Sequence, residues 1–305
     1  MIEIAIMIEG QHGLNWPRWK RIARAVEELG FAGLYRSDHF TNASPPDRDS
    51  LELWTSLTWL ADHTERIEFG PLVTPLSFRD PVFTARMARE VDDLSGGRLT
   101  LGVGAGWQER EHTMFGFDLL DVSDRFERFE EGLQVISGLL REAGPVNFEG
   151  RFYRLQEAQL LPRPQRPGGP PLLIGGNGPR RSLPLAAKYA DEWNGVYITP
   201  EAYRQRIEML DEGLTAGGRD PGSVRRSVMT GLVFASDRAE IEKKVEFWQA
   251  TPEELRQHGL IVGTGSQVTE AVAAYERAGA GRIMLQWLEL DNLEGLQALA
   301  RLLLG

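Results

Sequence analysis

The chain has 305 residues, no cysteine, and 34 Lys plus Arg against 44 Asp plus Glu, for a formal charge of −10. The missing cysteine excludes a disulfide framework, a thiolate-ligated zinc or iron–sulfur site and a thiol nucleophile, and the acidic balance argues against a protein that grips nucleic acid through a basic face. Apolar runs are short, as at Leu172-Leu173-Ile174, and the start lacks the basic-then-apolar plan of a secretory signal, so the expectation is a cytoplasmic globular protein with no membrane partner.

Residues 2–8 form the first expected strand. Asn15 is placed to cap a helix that carries Trp19, Ile22, Ala23, Val26 and Leu29 on one face and stops at Gly30. A second strand is expected over 31–36, a helix opened by Ser50, a third strand over 67–74 and a helix over 82–94. Gly96-Gly97 turns the chain into a fourth strand, 98–103, and a long helix with Ser123 as cap covers about 123–142. Further strands are expected at 172–175, 192–197, 227–235 and 282–288, separated by helices at about 176–189, 200–216 and 266–278, with a charged helical stretch at 238–258 and a last helix closing the chain.

Eight strands, each followed by a helix, predict a parallel sheet closed into a (β/α)8 barrel, a TIM barrel, rather than a six-stranded doubly wound sheet. Two segments break the rhythm: 145–171, with a small hairpin around Gly150, and 236–265. No linker or shift in composition divides the chain, so one domain over 1–305 with these two insertions is expected.

A barrel places its active site at the carboxyl ends of the strands. The first strand is followed by Glu9, Gln11 and His12, the second by Asp38, His39 and Phe40, and the third by Thr74 and Phe78. The fourth leads into Gly104–Glu109 and His112, the fifth into Gly175–Pro179, and the eighth ends near Gln286 and Trp287. Asp38-His39 sets an imidazole beside a carboxylate, a pairing suited to proton transfer near neutral pH, and Glu109 on the fourth loop faces the same mouth. The histidines form no H-x-H pair and no H-E-x-x-H, so no metal site is expected. Glu111 and His258 are expected to be solvated.

Gly175, Gly176, Asn177 and Gly178, followed by Pro179, Arg180 and Arg181, form a glycine cluster between a strand and a helix; it suits a phosphate, and equally describes a tight strand–helix turn. Gly102–Trp107 (GVGAGW) fails the spacing of a dinucleotide fingerprint; its glycines are expected to let a flat ring approach, with Trp107 either walling the pocket together with Phe40 and Phe78 or buried under a loop. Arg125, Glu127, Arg128, Glu130 and Glu131 are expected to pair on a surface helix.

These residues sit in seven ordered stretches: GFAGLYRSDHF (30–40), GPLVTPLSFRDP (70–81), LSGGRLTLGVGAGWQEREHTMFG (94–116), RFERFEEGLQVISGLL (125–140), FEGRFYRL (148–155), PPLLIGGNGPRRSLPLAAKYADEWN (170–194) and GAGRIMLQW (279–287). Together, over nearly the whole chain, they resemble the bacterial luciferase-like flavin- and deazaflavin-dependent oxidoreductases. The S-D-H and G-x-G-W patterns look most like the branch that uses the 5-deazaflavin coenzyme F-420 (F420). FMN, with an oxygen-dependent monooxygenase activity, is the alternative.

The resemblance implies a cofactor ring in the barrel mouth, a non-proline cis peptide at Leu72-Val73 just before Thr74, and a phosphate loop at Gly175–Gly178 with Arg180 beside it. It implies catalytic roles for His39 and Glu109 and cofactor contacts for Asp38, Leu72, Val73, Thr74, Gly106 and Trp107. It also implies a small-molecule substrate and a homodimer. Gln108 stands where many relatives have Asn or another small polar residue.

Overall fold

The computed structural model describes residues 1–305. Its main sheet is parallel. The strands are β1 (Glu3–Ile8), β2 (Gly33–Arg36), β3 (Glu68–Pro71), β4 (Thr74–Pro75) and β5 (Leu101–Gly104), then β8 (Leu172–Gly175), β9 (Glu192–Val196), β10 (Arg225–Phe234) and β12 (Arg282–Gln286). Their order is β3-β2-β1-β12-β10-β9-β8-β5-β4. β3 and β4 are two halves of one strand interrupted at Leu72-Val73, where the peptide is cis. Phe69 N and O both bond across to the β5 segment, at Arg98 O and Thr100 N, and so bring the two ends of the sheet together. Eight barrel strands result, as the alternation predicts, and the fold matches TIM-barrel neighbours.

The outer helices are α1 (Trp16–Leu29), α2 (Leu53–His63), α3 (Pro81–Leu94), α4 (Glu109–Phe115), α5 (Val122–Arg141), α6 (Ser182–Tyr189), α7 (Pro200–Ala216), α10 (Gly265–Arg277) and α11 (Leu293–Leu303). Asn15 caps α1 by accepting from Arg18 N, and Gly30 ends it with φ +89°, which only glycine adopts freely. Two caps differ from expectation. Asp121, not Ser123, caps α5, because its carboxylate reaches two free backbone N–H groups. Glu52 caps α2, while Ser50 turns away to donate to His39 O. No helix is long and apolar enough to cross a membrane.

Strand alternation splits the core in two. Ile4, Ile6, Ile8, Leu34 and Ile283 point outward and pack under the helices, in a cluster of 61 buried residues. Ala5, Met7, Tyr35, Leu72, Leu173, Met229 and Met284 point inward and fill the barrel. Below them, at the amino ends of the strands, Arg282 is fully buried among Glu3, Glu68, Glu192 and Tyr35. The barrel is therefore closed at the bottom and open at the carboxyl ends.

The first insertion contains the expected hairpin, β6 (Val146–Glu149) and β7 (Arg154–Ala158). Glu131 of α5, expected on a solvated face, is 9% exposed and accepts from the N–H groups of Arg151, Phe152 and Tyr153 at the hairpin turn. The second insertion resolves into α8 (Arg238–Val245), a short turn at Glu246–Trp248, α9 (Pro252–Gln257) and a strand β11 (Ile261–Gly263) beside β10.

Candidate active site

A cavity of about 950 Å3 opens at the carboxyl ends of the strands. Its floor is apolar and inward-facing: Met7, Leu72, Val73, Val196 and Met229. Asn194 also lines it. This side chain is fully buried; its Nδ2 donates to Ser227 Oγ, and its Oδ1 has no partner.

Gly102 and Gly104 of β5 make room for the Leu72-Val73 bulge, while Gly104 and Gly106 also line the cavity. A Cβ on Gly102 would stand 2.1 Å from Pro71 O, and one on Gly104 would stand 2.6 Å from Val73 Cγ2. The consequence reaches the cavity at one remove: Val73 is held against β5 and faces the opening.

His39 lines the cavity, with 15% of its side chain exposed. Its Nδ1 lies 2.8 Å from Glu111 Oε1, and Glu111 Oε2 accepts from Phe40 N at 3.1 Å. Glu111 is 1% exposed, so the sequence expectation of a solvated carboxylate is overturned. The first turn of α4 faces Glu111 inward, whereas Glu109, two residues earlier, is exposed and lies off the cavity wall. Burial pulls the His39 pKa down, but the hydrogen bond and charge of Glu111 outweigh it, so the imidazole sits above its ordinary value. With Nδ1 bound to the carboxylate, Nε2 is the nitrogen left free. Trp107, 63% exposed, meets the ring edge-on at 5.6 Å.

Asp38 is buried and lies behind the wall. It accepts from Thr74 Oγ1 at 2.6 Å and from Arg79 at 2.8 and 3.0 Å, so it and Thr74 brace the bulge from outside the cavity. Phe40 and Phe78 also leave the wall: they pack with Phe115 and Phe117 under the loop. His112 is buried between Gln108 O and Ser77 Oγ, while Gln108 donates to Thr41. Gly106, at φ +85°, lines the cavity where a Cβ would strike Ser77 Oγ.

Gly175, Gly176 and Asn177 line the cavity, whereas Gly178 and Arg180 are exposed beyond it. The Asn177 side chain is spent on β9: it donates to Val196 O and accepts from Val196 N. Arg206 of α7, which no sequence motif marks, holds the same loop by donating to Asn177 O at 3.0 Å. Opposite, Glu9 accepts from Gln11 and Gln286, and Tyr197 donates to Gln286 Oε1 at 2.7 Å, forming a hydrogen-bonded rim across β1, β9 and β12. Gln11 and Gln286 are strand-end residues visible in the sequence; Tyr197 and Asn194 carried no motif.

Comparisons with known proteins fit this arrangement. An F420-dependent glucose-6-phosphate dehydrogenase of Kineococcus radiotolerans is 30% identical over 230 residues, 73% of this chain and 66% of that protein. A phthiodiolone/phenolphthiodiolone dimycocerosates ketoreductase of Mycobacterium kansasii is 31% identical over 200 residues, 65% of this chain and 53% of that one. The matches thus span less than two thirds of these relatives' own length. Among solved structures, an F420-dependent secondary alcohol dehydrogenase in complex with an F420-acetone adduct superposes with a TM-score of 0.84 at 19% identity, covering 97% of each chain. The family description "luciferase-like monooxygenase" matches residues 4–259, and with these relatives it establishes that the chain belongs to the luciferase-like family.

Proposed function

We propose that the chain is an F420-dependent oxidoreductase that moves a hydride between the deazaflavin and the carbinol or carbonyl carbon of a small organic substrate, with His39 handling the proton. The observation that carries this reading is the His39–Glu111 pair on the cavity wall, with Nε2 free. The three relatives named above support it, since each name describes oxidation of an alcohol or reduction of a ketone.

The residues fit a flat, fused-ring cofactor. Leu72, Val73 and Met229 offer an apolar face, Gly104, Gly106, Gly175 and Gly176 offer backbone without side chains, and the unpartnered Asn194 Oδ1 offers a buried acceptor. When bound, the deazaflavin supplies a ring carbon that exchanges hydride and reacts poorly with oxygen. The loop at Gly175–Asn177 is the proposed phosphate seat, with Arg206 positioning it and Arg180 at its outer edge. Asp38 and Thr74 hold the bulge rather than touch the cofactor.

In the oxidative direction His39 Nε2 takes the substrate hydroxyl proton as the hydride leaves the carbinol carbon. In the reductive direction it returns that proton to the carbonyl oxygen. Glu111 holds the ring in place and stabilises its protonated form. Trp107 covers one edge of His39. Glu109 has no part in this scheme.

We further propose a cytoplasmic homodimer in which the whole chain, 1–305, acts as one unit. The groove between α2 and α3 is edged by Phe83 and Leu94, 66% and 50% exposed. It carries Arg86 together with Asp62 and Glu90, charges of both signs that a self-complementary two-fold contact can pair. Sedimentation of the protein and of Phe83→Asp tests this; a wild-type monomer would contradict it.

The test of the activity is His39→Ala. Turnover is expected to fall by about 100-fold or more with cofactor affinity retained; unchanged turnover would remove His39 from the mechanism.

A further inference from the structure

The cavity is larger than a single flat ring requires, and its outer wall comes from different segments than its inner one. His12 follows β1, Arg48 lies in the loop after β2, and Phe247 and Trp248 belong to the turn after α8. Phe247 is 63% exposed and stands edge-on to His12 at 6.4 Å and to Trp248 at 5.5 Å. The outer wall is therefore aromatic on its sides.

Its charges are unevenly matched. Both carboxylates on the cavity wall are occupied: Glu9 by Gln11 and Gln286, and Glu111 by His39 and Phe40 N. Arg48 is the only lysine or arginine lining the cavity, and its side chain makes no hydrogen bond and no ion pair. Its neighbour His12 also lacks a hydrogen-bond partner for its ring. Burial, aided by the charge of Arg48 against the opposing pull of Glu9, holds His12 below its ordinary pKa, so it stays neutral at neutral pH. One exposed guanidinium, without a protein partner, thus borders an aromatic chamber at its rim.

We infer that the outer wall receives the body of the substrate, and that the substrate is an aromatic or otherwise flat, apolar carbonyl or carbinol compound bearing one carboxylate, which pairs with Arg48. A guanidinium presents the planar fork that a carboxylate accepts in bidentate fashion. A phosphate monoester carries close to two negative charges near neutral pH, and a single arginine leaves much of that unmatched. The cavity therefore selects against phosphorylated sugars, although several relatives are named for one. The assignment of the reacting carbon rests on the hydride-transfer reading above; the seat of the substrate body does not.

Calorimetric titration with 2-naphthoate, 2-naphthylmethanol and glucose 6-phosphate tests the inference. Each titration is run on the protein alone and again with F420 present, on the wild type, Arg48→Gln and Phe247→Ala. Naphthoate is expected to bind the wild type about tenfold or more tightly than the alcohol. Arg48→Gln is expected to bring naphthoate down to the level of the alcohol, Phe247→Ala to weaken both, and glucose 6-phosphate to leave naphthoate undisplaced. Equal binding of the two probes, a naphthoate preference that survives Arg48→Gln, or displacement by glucose 6-phosphate would overturn the inference. Failure of F420 to bind would overturn the cofactor reading alone, because the probe titrations are also read on the protein without it.

Discussion

Glu111 Oε1 lies 2.8 Å from His39 Nδ1, and the carboxylate that makes this contact is 1% exposed. A charge so placed fixes which nitrogen is left free toward the cavity and raises the affinity of the ring for a proton. His39 therefore has a folded pKa above the unfolded value of about 6.5. Such a group adds stability that is complete below pH 6.5 and is lost as the pH rises through the folded pKa. Glu111→Gln removes the charge. The His39 pKa is then expected to fall, because burial is left as the largest influence, with only the Glu9 and Asp38 charges opposing it. NMR titration of the His39 ring protons checks the direction. An unchanged pKa in the variant would separate the two residues.

Asp38 supports the site from behind. Its removal in Asp38→Ala strands the Thr74 hydroxyl and one side of the Arg79 guanidinium, which keeps only Glu52. Loss of buried hydrogen-bond partners costs about 1–3 kcal/mol. A lower Tm is expected, together with weaker cofactor binding, because Leu72 and Val73 lose their brace. Thermal denaturation and a cofactor binding isotherm measure the two effects separately.

Gly102 tests the packing of β5 against the bulge. Gly102→Ala places a methyl 2.1 Å from a backbone oxygen that cannot rotate away. A loss of about 1–3 kcal/mol or more is expected in urea denaturation. Gly144→Ala is the control: a Cβ there meets nothing within 4 Å, so its stability should stay within about 0.5 kcal/mol of wild type.

At the closed end of the barrel, Arg282→Met leaves Glu3, Glu68 and Glu192 without their common cation. Glu3 and Glu68, 42% exposed, keep Arg225, but Glu192 is buried and loses its ion pair, and leaving such a charge unpaired costs about 3–5 kcal/mol. Glu192 is already pushed above the usual carboxylate range by burial, with Arg282 opposing. A carboxyl whose folded pKa is raised makes the protein less stable as pH rises from the unfolded pKa through the folded one. That loss should be steeper in the variant than in the wild type. Denaturant midpoints between about pH 4 and 8 provide the comparison.

Much of this was legible in the sequence because strand period, helix caps and glycine turns are local signals. The eight strands, the α1 cap at Asn15 and the hairpin at Gly150 stand where expected, and the interruption at Leu72-Val73 stands where the family resemblance implies it. The wall positions of His39, Leu72, Val73, Gly106, Trp107 and Gly175–Asn177 follow from their place at strand ends. Glu109 and Glu111 show the limit. Both follow β5, but the chain turns into α4 at Glu109, and two residues along a helix is just over half a turn. Which of the two carboxylates faces β2 depends on where that helix starts. Asp38 shows the same limit: its partner Arg79 is 41 residues away and no sequence signal links the two. Of the outer-wall residues, Arg48 sits in a loop, and Phe247 and Trp248 sit where the structure breaks an expected helical stretch into α8, a turn and α9, so only the assembled barrel shows that they meet.

The central claim is the deazaflavin, and the most direct measurement is titration of the purified protein with F420 and with FMN, followed by coenzyme absorbance and fluorescence. Saturable binding of F420, with FMN binding weakly or not at all, is the predicted result. Tight binding of FMN with no binding of F420 would contradict the account.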